Sequence, residues 1–147
     1  CVCRLHVCDD SYLYLCEIFQ KRQFMKLSAI EKWHLCINEK IVDSDALDES
    51  IKFYSPFVFK PIEGIEKVTQ YLNAANSVIA NDDFKYTEEL VGDDTAFLSF
   101  ETKVSDLYVN GIDFLTWNQD QKLTELRVFI RPFKGLTAVS EMMMKYL

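Results

Sequence analysis

The sequence predicts a single α+β domain in which an antiparallel sheet and several helices enclose an apolar pocket. Apolar residues recur with a helical period as far as residue 79, and after Asn81 the period changes to two. A chain of 147 residues has room for one domain with a proper core. Aromatic residues make up 14% of it, which is enough to supply a core generously or to line a pocket with rings.

Residues 1–24 differ from the rest of the chain. They lack a clear hydrophobic period and contain four of the five cysteines. Because the chain begins with Cys rather than Met, we expect this segment to be an extension, a fragment or a mis-assigned start. The functional domain is expected to cover residues 25–147, beginning near Met25.

The cysteine pattern favours a reducing cytoplasm, and the sequence as a whole predicts no cofactor. Cys36 is the one cysteine in the body of the domain, whereas a disulfide framework would be spread along the chain. The run Cys1-x-Cys3-x-x-His6-x-Cys8 superficially resembles metal ligands, but it is compressed and has no second half, so no metal site is predicted.

The net charge argues against two classes of partner. At −7, with a pI near 4.8 and no cluster of Lys or Arg, the surface would repel a nucleic acid backbone and an anionic membrane. The longest apolar candidate, residues 12–19, is too short to span a bilayer and contains Glu17. It also lacks the features of a signal peptide.

Helices are predicted mainly in the first half of the chain. One helical face is formed by Ile30, Trp33, Ile37 and Ile41. A short helix is expected over 45–51, a short strand over 53–56 that Pro56 ends, and a loop over 57–64. The clearest helix covers 65–79, where apolar residues follow the 3.6-residue period closely.

Four strands and a closing helix are predicted after it. The strands are 84–91, 95–103, 107–117 and 122–131, joined by loops suited to hairpins. Asn110-Gly111 is a strong hairpin dipeptide, but a turn there would leave only a stub of strand, so we interpret it as a bulge or bend. The closing helix covers about 134–146, with Leu136, Val139 and Met143 facing inward.

Asp113 is the most informative residue for function. It shares its strand parity with Leu107, Val109, Leu115 and Trp117, which is the more apolar parity, so it is expected to point to the interior side of the sheet. Desolvation there would raise the pKa of an unpaired carboxyl and make it useful as an acid, a base or a hydrogen-bond donor. The alternative is a structural carboxylate that backbone N–H groups or a neighbouring side chain satisfy.

The opposite parity of the same strand predicts a homodimer. Tyr108, Ile112 and Phe114 would form an outer face too apolar for water unless a partner or a helix covers it. Arg127 and Arg131 alternate with apolar residues of the next strand and are also expected to face away from the pocket.

Several motifs in order resemble SnoaL-like proteins of the nuclear transport factor 2-like superfamily. They are Glu-x-x-x-Phe-Tyr-Ser-Pro ending at Pro56, the helix that begins after Gly64, Gly-Ile-Asp-Phe around Asp113, and the run Lys-Leu-Thr-Glu-Leu-Arg-Val-Phe from Lys122. The resemblance covers roughly 27–147. It implies a cystatin-like cone, in which a strongly curved antiparallel sheet wraps around a long helix with further helices at both termini, and it implies a pocket and frequent homodimers.

Within that superfamily, ketosteroid isomerases offer the nearest chemical comparison. Their Ile-Asp pair, whose aspartate is a protonated oxyanion-hole donor, is similar to Ile112-Asp113. Their general base is an aspartate before a proline, and Ser55 stands at that position here. A serine hydroxyl cannot abstract a proton from carbon without a base beside it. The family's catalytic tyrosine on the first helix has no clear match, since that helix offers Trp33 and His34.

Two functions therefore remain open. The first is a domain that binds a small apolar molecule, and the second is an enzyme of the isomerase, cyclase or hydrolase type. Candidate catalytic residues are Asp113 and, more weakly, His34 and Tyr54; His34 has an equally simple interpretation as an exposed or hydrogen-bonded residue. The candidate ligand-binding residues are Trp33, Tyr54, Ser55, Leu115, Trp117, Leu126 and Val128.

Overall fold

A computed structural model describes residues 10–147, which form four helices and one six-stranded sheet. The helices are α1 (Asp10–Met25), α2 (Ala29–Glu39), α3 (Ile65–Ile79) and α4 (Phe133–Met143). The strands are β1 (Leu47–Tyr54), β2 (Ile62–Glu63), β3 (Lys85–Val91), β4 (Thr95–Val104), β5 (Leu107–Trp117) and β6 (Leu123–Arg131). The predicted α+β class is confirmed. The predicted meander is confirmed as β3 to β6, with each bound within one residue of the prediction.

The sheet is mixed, and its strand order is β2-β1-β6-β5-β4-β3. The neighbours β3 to β6 pair antiparallel, as hairpin connections require. β1 joins the meander by pairing in parallel with β6, a pairing that joins distant parts of the chain. The prediction of an antiparallel sheet therefore holds for every pair except this one.

The predicted helix over residues 45–51 is wrong. Ser44–Ala46 is a single 3-10 turn, and β1 begins at Leu47. Ile51 and Phe53 are buried on its inner side. The short strand expected at 53–56 is the end of this longer strand.

The amphipathic helix predicted from Ile30 to Ile41 is α2, but it is shorter than expected. A capping box between Ser28 and Glu31 fixes its start. It ends at Lys40, which adopts the left-handed conformation with φ of 57°. Ile41 therefore lies beyond the helix and is exposed.

β5 is a continuous strand without a bulge at Asn110-Gly111, where the sequence predicted a bulge or a bend. Its register with β4 runs unbroken from Thr95↔Thr116 to Val104↔Leu107. The glycine is explained by close approach instead, because a Cβ on Gly111 would lie 2.3 Å from the Cζ atom of Phe100. The sheet needs glycine here to admit the Phe100 ring.

The core lies between one face of the sheet and the helices. Val68 and Leu72 of α3 are buried against β1, and Val139 and Met143 of α4 pack with Val109 of β5. Thr102 of β4 donates from its hydroxyl to the carbonyl of Ile79, 3.0 Å away, which ties the end of α3 to the sheet. The helices therefore lie over the face toward which Asp113 points.

Candidate ligand pocket

An apolar cavity lies between α2, α3, α4 and the inner face of the sheet. Its volume is about 40 Å³, enough for two or three water molecules at roughly 10–15 Å³ each. Much of its wall is aromatic, contributed by Trp33, Phe53, Phe57, Phe84 and Phe100. Among residues 10–147, Asp113 is the one acidic or basic side chain in this wall.

The strand parity predicted for Asp113 is confirmed, and it brings the carboxyl to the cavity. Asp113 lies opposite Leu98 of β4 and Val128 of β6, and only 6% of its surface is exposed. Burial among apolar side chains raises the pKa of Asp113 from its ordinary value to about 6. The hydrogen bond from Tyr86 and the nearby Trp33 indole oppose that rise.

Asp113 is held by a chain of hydrogen bonds that reaches back to α2. The Tyr86 hydroxyl donates to Oδ2 of Asp113 at 2.7 Å. The indole Nε1 of Trp33 donates to the Tyr86 hydroxyl oxygen at 2.9 Å. Burial first, and then the carboxylate beside it, raise the pKa of Tyr86 well above its ordinary value. Tyr86 therefore remains a neutral donor, and the chain fixes the orientation of Asp113.

His34 lies behind Tyr86 and outside the cavity wall. Its ring meets the Tyr86 ring edge-on, with centroids 5.4 Å apart. Its Nε2 lies 2.9 Å from Oε1 of Glu89. About a third of each of these two side chains is exposed, so His34 supports Tyr86 from the solvent side.

Tyr54 and Ser55 also lie outside the wall. Tyr54 is paired with Arg127, and the Arg127 guanidinium lies 4.5 Å from the centre of the Tyr54 ring. The Ser55 hydroxyl accepts from the backbone N–H of Phe57 at 3.2 Å, which shapes the turn after β1. Neither side chain meets Asp113 in the cavity.

The remaining predicted ligand-binding residues divide into two groups. Trp33, Leu126 and Val128 line the cavity. Leu115 and Trp117 point to the same side of the sheet but are packed in the core away from the cavity. A ligand-binding role for any of these residues stays a prediction.

Solved structures of other proteins share this architecture, although no protein-family model and no curated protein matches the sequence. A steroid delta-isomerase from Pseudomonas aeruginosa is similar at 27% identity and a TM-score of 0.75, over 80% of this chain and 87% of that chain. An uncharacterized protein with a cystatin-like fold from Silicibacter pomeroyi has 25% identity and a TM-score of 0.65, over 69% and 71%. A nuclear transport factor 2-like protein from Cytophaga hutchinsonii has 15% identity and a TM-score of 0.54, over 71% and 88%, and a SnoaL-like protein from Jannaschia also matches.

The chain has the nuclear transport factor 2-like fold. This confirms the resemblance found in the sequence at the level of the cone and its order of elements. The proteins that share the fold include an isomerase and proteins of unknown function, so the fold alone assigns no reaction.

Two residues of this nuclear transport factor 2-like cone were missed from the sequence. Phe84 lies just before β3 and has the same parity as Tyr86, so this aromatic alternation was a signal that a ring and its hydroxyl enter the interior. Asn76 follows Val68 and Leu72 at intervals of four residues on α3, which made it a polar residue at a core position. Both signals were present, but the first did not identify Asp113 as the partner of Tyr86.

Three further predictions concern metal ligands, disulfide bonds and membrane-spanning helices, and the structure bears on them only for residues 10–147. Within residues 10–147, no group of His, Cys, Asp and Glu side chains has the arrangement of a metal site, and the Cys1–Cys8 run lies outside the described residues. Cys16 and Cys36 are free thiols. None of the helices in the described part is both long and apolar enough to cross a membrane.

Proposed function

We propose that the cone binds a small apolar molecule through a carbonyl or hydroxyl oxygen that contacts Asp113. The observation that carries the proposal is one buried carboxyl in an otherwise apolar, ring-lined cavity, with a pKa near 6 and an orientation fixed by Tyr86. Such pockets bind apolar bodies by burial and select among them by a few placed polar groups.

Asp113 offers a different contact in each protonation state. When protonated, the carboxyl keeps the hydrogen bond from Tyr86 and gains an O–H group that can donate a hydrogen bond to a carbonyl oxygen of the ligand. When ionised, it accepts a hydrogen bond from a hydroxyl ligand. A carbonyl ligand therefore selects the protonated form.

The ligand must enlarge the cavity on entry. A cavity of about 150 Å³ holds benzene, whereas this one measures about 40 Å³. Met143 and Phe57 are the wall residues best suited to move, because a methionine side chain is flexible and Phe57 is only half buried in the turn after β1. A ring of six carbons is the largest probe we expect the pocket to accept readily.

Binding of cyclohexanone at pH 5 to three forms of the protein tests the proposal. Asp113→Asn keeps the shape and a donor and should keep the dissociation constant within about threefold, whereas Asp113→Leu should weaken binding by roughly tenfold, as the loss of one hydrogen bond in an apolar site would. Heteronuclear NMR titration reports both the affinity and the fold of each variant. Equal affinity in wild type and Asp113→Leu would contradict the proposal.

A second candidate is an enzyme that moves a proton with Asp113. A carboxyl with a pKa near 6 is suited to general acid–base catalysis near neutral pH, and a structure similar at 27% identity is a steroid delta-isomerase. Ser55 stands where that chemistry would require a carboxylate base, so Asp113 would have to act alone. Asp113→Asn separates the two functions, because it should abolish turnover while leaving binding largely intact.

The outer face of the sheet is proposed to form a homodimer. Phe97 and Phe114 stack there with centroids 4.3 Å apart. Tyr108, Ile112 and Phe129 are exposed on the same face. Covering so many rings in one chain would require a helix on that face, and the helices α2, α3 and α4 pack on the other. A cytoplasmic location stays a prediction.

A further inference from the structure

Asn76 is a second polar group in the cavity wall, contributed by α3 rather than by the sheet. Only 5% of its surface is exposed, and it faces the cavity between Leu72 and Ile79. Its side-chain Nδ2 finds no hydrogen-bond partner among the residues that the structure describes. The cavity wall therefore contains a buried hydrogen-bond donor that a ligand in the cavity can satisfy.

This position would ordinarily hold an apolar side chain. Asn76 continues the buried series of Val68 and Leu72 along α3, where an apolar residue of similar size would pack without leaving an unpaired donor. Its own backbone carbonyl already accepts from the N–H of Ala80, so the amide is not required to end the helix. Its Nδ2 donor is therefore not used by helix capping or by any hydrogen bond within residues 10–147.

We propose that Asn76 donates a hydrogen bond to a second oxygen of the ligand, which makes the ligand a small apolar molecule with two oxygen atoms. This rests on the proposed function, in which the first oxygen contacts Asp113. The two contacts come from different walls, since Asp113 is on β5 and Asn76 is on the helix above it. A diketone or a hydroxyketone with an apolar frame fits this pattern, and a hydrocarbon with a single oxygen leaves Asn76 unpaired.

Two matched probes and one substitution test the inference. Cyclohexanone and cyclohexane-1,4-dione have the same ring and differ by one carbonyl. The ratio of their dissociation constants is measured at pH 5 in wild type and in Asn76→Leu, which keeps the branching at Cγ and removes the donor. We expect Asn76→Leu to shift that ratio by about fivefold to tenfold against the dione, the worth of one net hydrogen bond, and to leave cyclohexanone binding within about twofold.

Thr69→Val is the matched control. Thr69 is also on α3, and its hydroxyl is also buried without a partner among the described residues, but it does not line the cavity. The control should leave the ratio unchanged. If Asn76→Leu fails to fold, the Asn76 side-chain amide signals of the wild type decide between the outcomes, because a hydrogen bond to the dione should move the Nδ2 proton signals further downfield than cyclohexanone does.

The outcomes separate the two proposals. If cyclohexanone binds but Asn76→Leu leaves the ratio as in wild type, the role of Asn76 is wrong and binding at Asp113 stands. The role of Asn76 is also wrong if both ketones leave its amide signals unmoved, which would mean that bound water satisfies the amide. If neither ketone binds, the pocket function fails and the role of Asn76 fails with it.

Discussion

Asp113 is the residue on which the candidate site depends, and its neighbours in the sequence do not by themselves indicate a site. Strand parity places it inside, and burial then raises its pKa to about 6. The sequence could therefore predict both its location and the direction of the shift. It could not predict Tyr86 and Trp33 as its partners, because those contacts depend on how β3 and α2 approach β5 in three dimensions.

The raised pKa predicts that Asp113 makes the fold less stable as the pH rises. A carboxyl whose pKa is about 6 when folded and about 3.9 when unfolded binds more protons in the folded state between these values. The free energy of unfolding contributed by this group therefore falls by about 2 kcal/mol from pH 4 to pH 6. Urea unfolding of wild type and Asp113→Asn across that range measures it. The difference should favour the Asn variant increasingly as pH rises, and a constant difference would show that the folded pKa is ordinary.

At the scale of elements, hydrophobic periodicity predicted the helix and strands whose pattern is complete within one segment. It did not predict the strand residues whose pairing partner lies far along the chain. α3 and the meander were recovered because each has an unbroken period of its own. The first part of β1 was missed because apolar residues do not alternate strictly along Leu47–Tyr54, where the pairing with β6 shifts between Leu47 and Lys52. Its strand character comes from a parallel partner far along the chain, which no local window contains.

Gly111 tests the explanation given for the continuity of β5. Gly111→Ala would bring a methyl group to 2.3 Å from the Phe100 ring and 2.6 Å from the carbonyl oxygen of Phe129. We expect a loss of about 1–3 kcal/mol in unfolding free energy, as for other overpacked cores. Gly92→Ala is the control, since its nearest contact is 3.3 Å and should cost less. Equal losses in a urea titration would mean that Phe100 moves aside easily.

α1 presents a different problem, because it is a helix without an apolar face. Tyr12, Leu13, Tyr14, Leu15 and Phe19 are all exposed on it, and only Phe24 near its end packs partly against the core. A chain starting at Met25 should keep the fold and lose less than about 8 °C in its thermal midpoint, which corresponds to roughly 2–3 kcal/mol for a domain of this size. Calorimetry on both chains measures the difference, and a larger drop would assign α1 to the domain.

At the scale of the whole molecule, one face of the sheet is covered by helices and the other is exposed. The inner face with the helices encloses the pocket, and the outer face exposes rings that water does not favour. The predicted parity separated these faces correctly along β5, apart from Leu107 at its start, which is exposed. Strand parity could predict an apolar outer face, but the identity of a partner depends on the shape of the whole sheet.

The dimer prediction can be tested on that face directly. Sedimentation at micromolar concentration should report about twice 17.2 kDa. Phe129→Glu places a charge in the centre of the proposed interface and should yield a monomer, because an unpaired buried charge opposes association. Phe59→Glu is the control, since Phe59 is fully exposed on a loop. A wild type that sediments as a monomer would show that the outer face is left to solvent.

The central claim is that Asp113 binds a ligand oxygen, and the pH dependence of cyclohexanone binding tests it most directly. Ionisation removes the donor, and at pH 8 a carboxyl with a pKa of about 6 is almost fully ionised, so cyclohexanone should bind at least about tenfold more weakly at pH 8 than at pH 5, as expected for Asp113→Leu. Asp113→Asn has no proton to lose there, so its affinity should be flat over the same range. A wild-type dissociation constant that is the same at both pH values, or an Asn variant with the same pH dependence as the wild type, would contradict the claim.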